Sequence, residues 1–225
     1  MKDYDLGTEK IGRLIRHFSI PCVISMLVAA LYNIVDQIFI GWSEAGAFGN
    51  AATNIVYPFT VFALGLALLV GDGSAANFSL ELGRKNKDKA DKAMGNGFSL
   101  LIILSIILCG VGILLKAQIL KLFGANPNEE LCYKYANQYF SVICVGLPFY
   151  MIGQGLNASI RADSSPKYAM SCTLVGAITN LILDPLFIFV FNMGVKGAAI
   201  ATITGQILTF LMSIFYLFRS KKLSY

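Results

Sequence analysis

Six long apolar stretches, separated by short polar connections, follow one another along the chain. The predicted spans are 14–41, 51–80, 95–120, 135–156, 168–191 and 197–218. Each is long enough to cross the hydrocarbon core of a bilayer, which takes about 20 helical residues. Since a span must satisfy its own backbone hydrogen bonds in lipid, each stretch is expected to be a helix. The pattern predicts an all-α polytopic membrane protein, with a single bundle of six transmembrane helices over residues 1–225.

Composition supports a membrane protein. The 225 residues are 56% hydrophobic and only 14% charged, whereas soluble domains are about a quarter charged. The net charge of +5 does not indicate a nucleic-acid partner, because membrane proteins carry Lys and Arg in their cytoplasmic loops. The lipid bilayer is therefore the predicted partner, and binding to nucleic acid is not expected.

The basic residues are divided unevenly between the two sides of the predicted bundle. Only four of the 18 lie on the side opposite the N-terminus or at its edge, namely Lys116, Lys121, Lys134 and Lys196. Because cytoplasmic loops are enriched in Lys and Arg, the N-terminal side is predicted to be cytoplasmic. With an even number of spans, both termini are expected on that side.

Among the 13 acidic residues, only Asp36, Asp72 and Asp184 fall well within predicted spans. A charged side chain inside a membrane costs several kcal/mol, so it is usually functional and has a partner. Asp72 stands between two glycines toward the inner half of its span, where a structural role is expected, either a hydrogen bond at a kink or a position facing a cytoplasmic vestibule. In the second inner loop, Arg161 and Asp163 are expected to pair locally. Asp36 and Asp184 therefore carry most of the functional information.

The segment from Thr179 to Pro185 places an amide, a carboxylate and a proline inside the fifth span. Asn180 and Asp184 are four residues apart, so they lie on one face of a helix. Pro185 lacks a backbone N–H and tends to kink the helix, which leaves carbonyl oxygens available nearby. These features predict an oxygen-rich pocket within the membrane.

Sequence distance can be converted to depth, because a helix rises about 1.5 Å per residue. On this measure Asp36 lies roughly 8 Å, Asp184 roughly 12 Å and Thr202 roughly 9 Å below the outer edge. Asn180 lies one turn deeper than Asp184. All four polar groups are thus predicted in the outer half of the membrane, as a shared site would require.

The chemistry of such a site follows from its acids. Removal from water favours the protonated form of a carboxyl group, whereas a small cation held by oxygen ligands keeps it ionised. Proton and Na⁺ would therefore compete for one site, which is typical of an ion-coupled transporter. Tyr32, Asn33 and Gln37 add a polar stripe beside Asp36 and are predicted to contact substrate or to support the acid. The alternative for isolated Asn and Thr side chains is interhelical hydrogen bonding that only stabilises packing.

Several stretches resemble those of the multidrug and toxic compound extrusion (MATE) transporters. The resemblance lies in Leu31–Gly41, Gly83–Lys85, Ile160–Asp163 with the following Pro166–Met170, Thr179–Pro185 and Gly194–Thr202. It covers essentially the whole chain and implies a drug/Na⁺ or drug/H⁺ antiporter. By resemblance, the cation site comprises Asn180, Asp184, the backbone carbonyl of Ala198 and the hydroxyl of Thr202. Asp36 matches the first-span acid that is implicated in ion coupling and in bending of that helix.

The resemblance also implies partners and a location. Members of the family have twelve spans in two lobes of six, and this chain resembles the amino-terminal lobe. Transport is then expected to need a second six-span lobe, either a missing carboxy-terminal half or the partner in a homodimer. The expected substrates are lipophilic or cationic drugs, with Na⁺ or H⁺ as coupling ion and no resident cofactor. The expected location is the plasma membrane of a bacterial cell, as a multi-pass protein.

Other functions remain as alternatives. A flippase for lipid-linked precursors, of the same superfamily, would share the helices but would be expected to use a cationic central cavity. A structural membrane subunit without transport activity is also possible. An enzyme is not expected, because the sequence contains no HExxH, no GxSxG and no nucleotide-binding glycine loop.

Overall fold

The computed structural model describes residues 10–219, and every regular element in that range is a helix. The helices are α1 (Ile11–Trp42), α2 (Gly46–Gly83), α3 (Lys87–Leu114), α4 (Lys116–Leu122), α5 (Glu130–Ala162), α6 (Pro166–Pro185) and α7 (Gly194–Arg219). A short π-helical turn, Leu186–Val190, continues α6. Six of the helices, all except α4, are long and apolar enough to cross a membrane. The predicted all-α fold with six spanning helices is therefore confirmed.

The third spanning helix begins and ends earlier than the predicted span 95–120. It ends at Leu114, and a separate short helix, α4, begins at Lys116. Lys116 is the first charged residue after a long apolar run, and its Nζ donates to Ser141 Oγ on α5 at 3.0 Å. The helix break at Leu115 therefore coincides with a transition from apolar to charged sequence that hydropathy alone did not resolve.

Close contacts between glycines fix the helix pairs at the centre of the bundle. A Cβ at Gly71 of α2 would lie 2.6 Å from the Cα of Gly155 on α5, and a Cβ at Gly205 of α7 would lie 2.5 Å from the carbonyl oxygen of Gly176 on α6. No side chain fits at such distances. Small residues allow helix backbones to approach closely in lipid, where packing replaces the hydrophobic effect as the driving force. The α2–α5 and α6–α7 pairs therefore have fixed registers.

Helix α1 lies at the periphery of the bundle. Its buried residues are Pro21, Asp36 and Ile40, and most of its large apolar side chains are exposed. Pro21 removes one intrahelical hydrogen bond, which weakens the helix near its inner end. The outer part of α1 is thus held to the bundle largely through the face that carries Asp36.

A polar cluster joins the inner ends of the helices. Arg161 donates to Asn157 Oδ1 at 2.8 Å, and its second terminal nitrogen lies 3.4 Å from the carboxylate of Asp72 on α2. The expected local pair with Asp163 is therefore wrong, because the arginine points across the bundle. Asp163 instead accepts a hydrogen bond from the hydroxyl of Tyr216 on α7 at 2.6 Å. Asp72 thus has a partner on α5, Arg161, that was not predicted from the sequence.

The predicted orientation can be tested with two matched cysteine variants. Lys89 on the first turn of α3 and Lys121 on α4 are both exposed and lie at opposite ends of the same spanning segment. In a background without the five native cysteines, Lys121→Cys is expected to react with an impermeant maleimide in intact cells. Lys89→Cys is expected to react only after permeabilisation. The reverse pattern would contradict cytoplasmic termini. Lys2, Lys221 and Lys222, which also support the orientation, lie outside the described residues.

Candidate functional site

Helix α6 presents an amide and a carboxylate on one buried face. Asn180 and Asp184 are 2% and 0% exposed, and Asn180 Nδ2 donates to Asp184 Oδ1 at 3.1 Å. Their spacing of four residues accounts for this contact. Directly after Pro185 the backbone changes to π-helical pairing, with the N–H of Phe191 bonded to the carbonyl of Leu186 at 3.0 Å. Such π-helical turns are common at functional sites.

Helix α7 adds a hydroxyl to this pair. Thr202 Oγ1 lies 3.4 Å from Asn180 Nδ2 and accepts its second hydrogen bond. The close contact between Gly176 and Gly205 brings the two helix backbones near enough for this interaction. Ala198, which is fully buried, lies one turn before Thr202 on the same face of α7.

Helix α1 completes the cluster with a second carboxyl group. Asp36 is 6% exposed, and its carboxyl group lies near enough to that of Asp184 for the two charges to interact. The two acids are far apart in sequence, because Asp36 lies on α1 and Asp184 on α6, and these helices are not consecutive in the chain. Carboxylates are acceptors only, so two ionised groups in this arrangement repel each other unless a proton or a cation lies between them.

Three buried oxygen atoms of this cluster accept no hydrogen bond within the described part of the chain: Asp36 Oδ1, Asn180 Oδ1 and Asp184 Oδ2. Leaving a buried acceptor unsatisfied costs about 1–3 kcal/mol, and more for a charged group. Residues 10–219 contain no group of three His, Cys, Asp or Glu side chains that could hold a metal ion. Carboxylate, amide and hydroxyl oxygens are instead the ligands preferred by hard cations. The arrangement therefore suits a proton or a small hard cation.

Asp36 and Thr202 face a small cavity of about 170 Å³ between α1, α2, α5 and α7. Drug-sized ligands occupy pockets of about 300–1,000 Å³, so this cavity is large enough for water and an ion but too small for a drug. The remaining polar side chains of its lining include Tyr32, Asn33, Gln37, Thr53, Asn54, Tyr57, Thr60, Tyr139, Tyr150 and Gln206.

A second, open groove of about 640 Å³ lies on the exposed side of α1 and α2. It is lined by Asn33, Gln37, Trp42, Asn54 and Tyr57, among others. Aromatic walls with a few polar groups are typical of small-molecule sites. Because Asn33 and Gln37 line both this groove and the cavity beside Asp36, α1 connects the two.

The structure brings Asp36, Asn180, Asp184 and Thr202 together, and their role in ion binding stays a prediction. The three residues of the polar stripe have different surroundings. Asn33 Nδ2 donates to the carbonyl of Ala29 in its own helix at 2.8 Å. Gln37 forms a hydrogen bond with Thr53 on α2 at 3.1 Å. Tyr32 lines the cavity beside Asp36.

Two residues near the site were not predicted from the sequence. Thr53 is 5% exposed and attaches α1 to α2 through Gln37, while Tyr139 of α5 is 9% exposed and lines the cavity with Asp36. A tyrosine inside an apolar span is a usable signal, because its hydroxyl requires a polar partner when buried. Thr53 carries no comparable signal, since threonine is common in membrane helices.

The chain is similar to known proteins over most of its length. The family model MatE matches residues 21–186. The multidrug export protein MepA of Staphylococcus aureus (strain MRSA252) is 29% identical over 225 residues, which cover 98% of this chain and 49% of MepA. The chain thus spans about half the length of the curated relatives it matches.

Two solved structures show the same helix arrangement. One is described as MATE in the bent conformation (TM-score 0.85) and the other as MATE in the straight conformation (TM-score 0.86). Each is 26% identical to this chain, and the alignment covers 93% of this chain and 46% of the solved one. Since the family model covers most of the chain and the relatives agree in sequence and fold, this multi-pass membrane protein belongs to the MatE family.

Proposed function

We propose that the chain is one lobe of a secondary antiporter that exports lipophilic or cationic drugs in exchange for Na⁺ or H⁺. Multidrug export is the function named for the relatives from Staphylococcus, each about twice the length of this chain. A second six-span lobe, on the same or another polypeptide, completes the transporter in this proposal. Asp36, Asn180, Asp184 and Thr202 bind the coupling ion, and the carbonyl of Ala198 is a further ligand.

The observation that carries this proposal is the set of unpaired buried oxygens on the two facing acids. A lobe that only stabilised packing would have little use for two neighbouring buried carboxylates, because a hydrophobic pair of similar volume avoids the cost of desolvating them. A proton or Na⁺ between Asp36 and Asp184 supplies the missing charge and satisfies Asp36 Oδ1 and Asp184 Oδ2. The site is therefore stable when occupied and unstable when empty.

Occupancy is expected to control the position of α1. With an ion bound, Asp36 is drawn toward Asp184 and α1 packs against α6. Without it, the two carboxylates repel each other, and α1 is the least buried of the six spanning helices that the structure describes, so it has the least packing to resist movement. An ion can shift such an equilibrium only if it binds the two conformations with different affinities. Movement of α1 changes the groove that Asn33 and Gln37 line, and this links ion binding to drug release.

The charges around the cavities favour drug export over the flippase alternative. No Lys or Arg appears among the described residues that line the cavity beside Asp36 or the open groove between α1 and α2. A site for the phosphates of a lipid-linked precursor would be expected to present such cations. A neutral, aromatic-walled groove beside two acids is better suited to a lipophilic cation.

The function is tested by efflux of ethidium, a lipophilic cation, from drug-sensitive bacteria. The chain is expressed alone and as a fusion with the half of S. aureus MepA that it does not match. The fusion is expected to lower ethidium accumulation when an inward Na⁺ or proton gradient is imposed, and the chain alone is not. No efflux by the fusion under either gradient, with membrane insertion intact, would contradict drug export.

Ion binding is measured separately on the purified chain, because it does not require the second lobe. Radioactive sodium is expected to bind saturably and to be displaced as the pH falls, since proton and Na⁺ compete for the same carboxylates. Binding without efflux would support a lobe that lacks a suitable partner. Neither binding nor efflux would favour the structural-subunit alternative.

A further inference from the structure

The inner end of α1 forms a cavity of about 470 Å³ with the start of α6. The lining consists of Arg13, Arg16, His17, Ile20, Pro21 and Lys167. The described residues of this lining include no acidic side chain. Three permanently basic side chains, from two helices that are distant in sequence, therefore surround one cavity at the predicted cytoplasmic side.

The convergence of these cations follows from helix geometry. Arg13, Arg16 and Ile20 are spaced three and four residues apart, so they lie on one face of α1. Lys167 is the second residue of α6, which packs alongside α1. Arg16 and Lys167 thus line the same cavity from two helices.

The donors present suit a phosphate group. A guanidinium group has five N–H donors, and Arg16 uses its Nε–H for the carbonyl of Gly12 at 3.3 Å. Its terminal N–H groups have the fork geometry that matches phosphate oxygens, and Lys167 adds a point charge. The two side chains approach the cavity from different helices, so one phosphate can contact both.

The apolar surroundings indicate that the anion is part of a lipid. Ile20 lines the cavity and is 51% exposed, and Ile15 and Ile24 on the neighbouring turns are 58% and 38% exposed. The cations thus stand where the polar start of α1 passes into its apolar span, at the depth of lipid headgroups. Basic pockets between transmembrane helices on the cytoplasmic side are suited to anionic headgroups.

We propose that Arg16 and Lys167 bind the phosphate group of an anionic phospholipid from the inner leaflet, with its acyl chains along Ile20 and Ile24. A lipid held there contacts both α1 and α6, the two helices that supply Asp36 and Asp184. The site is separate from the ion site and does not depend on its function.

The test is lipid binding to the purified chain, measured by native mass spectrometry in a mild detergent. Phosphatidylglycerol, which is anionic, is compared with zwitterionic phosphatidylcholine. The wild-type chain is expected to retain phosphatidylglycerol preferentially. The double variant Arg16→Gln/Lys167→Gln is expected to bind it about thirtyfold more weakly, since each basic residue near an anionic lipid surface contributes about a factor of five.

The matched control is Lys85→Gln/Lys89→Gln, which removes two charges from the same predicted side at the turn before α3 and its first residues, outside the cavity. Its affinity for phosphatidylglycerol is expected to equal that of the wild type. The charge-conserving variant Arg16→Lys/Lys167→Arg is expected to retain most of the binding. If the double variant does not insert, Arg16→Gln and Lys167→Gln are measured singly, and each is expected to lose about fivefold.

Three results would overturn the proposal. The first is equal retention of the two lipids by the wild-type chain. The second is equal loss of phosphatidylglycerol in the Arg16/Lys167 and Lys85/Lys89 variants, which would indicate general surface charge. The third is displacement of the lipid by inorganic phosphate at millimolar concentration, which would indicate a site for a soluble anion.

Discussion

Replacing Asp184 by Asn is expected to abolish Na⁺ binding by the purified chain and drug efflux by the two-lobe fusion. The change keeps the shape of the side chain and removes one charge from a fully buried position. A unit charge about 4 Å from a cation contributes roughly 4 kcal/mol at an effective dielectric constant of about 20. The affinity for Na⁺ should therefore fall by about a thousandfold, as measured by titration with radioactive sodium.

The same variant is expected to fold at least as stably as the wild type in the absence of ion. The Asn amide can donate a hydrogen bond to the carboxylate of Asp36, which otherwise has an unpaired oxygen. Its melting temperature should no longer rise with added Na⁺, because only binding to the folded state stabilises it. Asp36→Asn is expected to give the same loss of efflux.

Asp72→Asn is the matched control, because it makes the same chemical change in a spanning helix. Asp72 has a 59% exposed side chain and contacts Arg161 at the inner end of the bundle. The Na⁺ affinity of the Asp72→Asn variant should equal that of the wild type. Undiminished efflux in both Asp36→Asn and Asp184→Asn would rule out the proposed coupling site.

Gly205→Val is expected to disassemble the site without touching any of its ligands. A Cβ at this position would lie 2.5 Å from the carbonyl oxygen of Gly176, so α6 and α7 must separate. The hydrogen bond from Asn180 to Thr202, already 3.4 Å long, would then be lost. Overpacking of this kind costs about 1–3 kcal/mol, which should appear as a lower melting temperature together with loss of Na⁺ binding.

Gly65→Val tests whether any glycine change in a membrane helix has this effect. Gly65 lies in α2, and a Cβ there would meet nothing within 4 Å. Both its melting temperature and its Na⁺ binding should remain close to those of the wild type. Normal Na⁺ binding by Gly205→Val would show that the α6–α7 spacing does not define the site.

The number and type of the helices could be predicted from sequence because a bilayer imposes a simple rule. A segment in lipid must be apolar, long enough to span and internally hydrogen-bonded, and all three conditions are visible in a sequence. The break between α3 and α4 was missed because hydropathy averages over a window and Leu115 is as apolar as the residues before it. In the structure Lys116, directly after the break, contacts Ser141 on α5.

Part of the candidate ion site could also be predicted from the sequence, one contact from helix periodicity and the other residues from their depth in the membrane. The contact between Asn180 and Asp184 is local, since a spacing of four residues fixes it within one helix. The proximity of Asp36 and Thr202 was predicted by depth alone, which restricts position along the membrane normal but not within its plane. The sequence therefore indicated which polar groups lie at similar depth in the membrane, but it did not indicate which helices pack against each other.

The sequence by itself determined the six spans, the presence of two acids within them and the Asn180–Asp184 pair, because hydropathy and helical periodicity are properties of single segments. The tertiary structure decided which segments meet. Close contact at Gly176 and Gly205 places Thr202 beside Asn180, and the packing of α1 on α6 brings Asp36 to Asp184. Arg161 likewise contacts Asp72 on α2 and not Asp163, which is close to it in sequence. These contacts depend on side-chain volume and direction across different helices, which no single segment encodes.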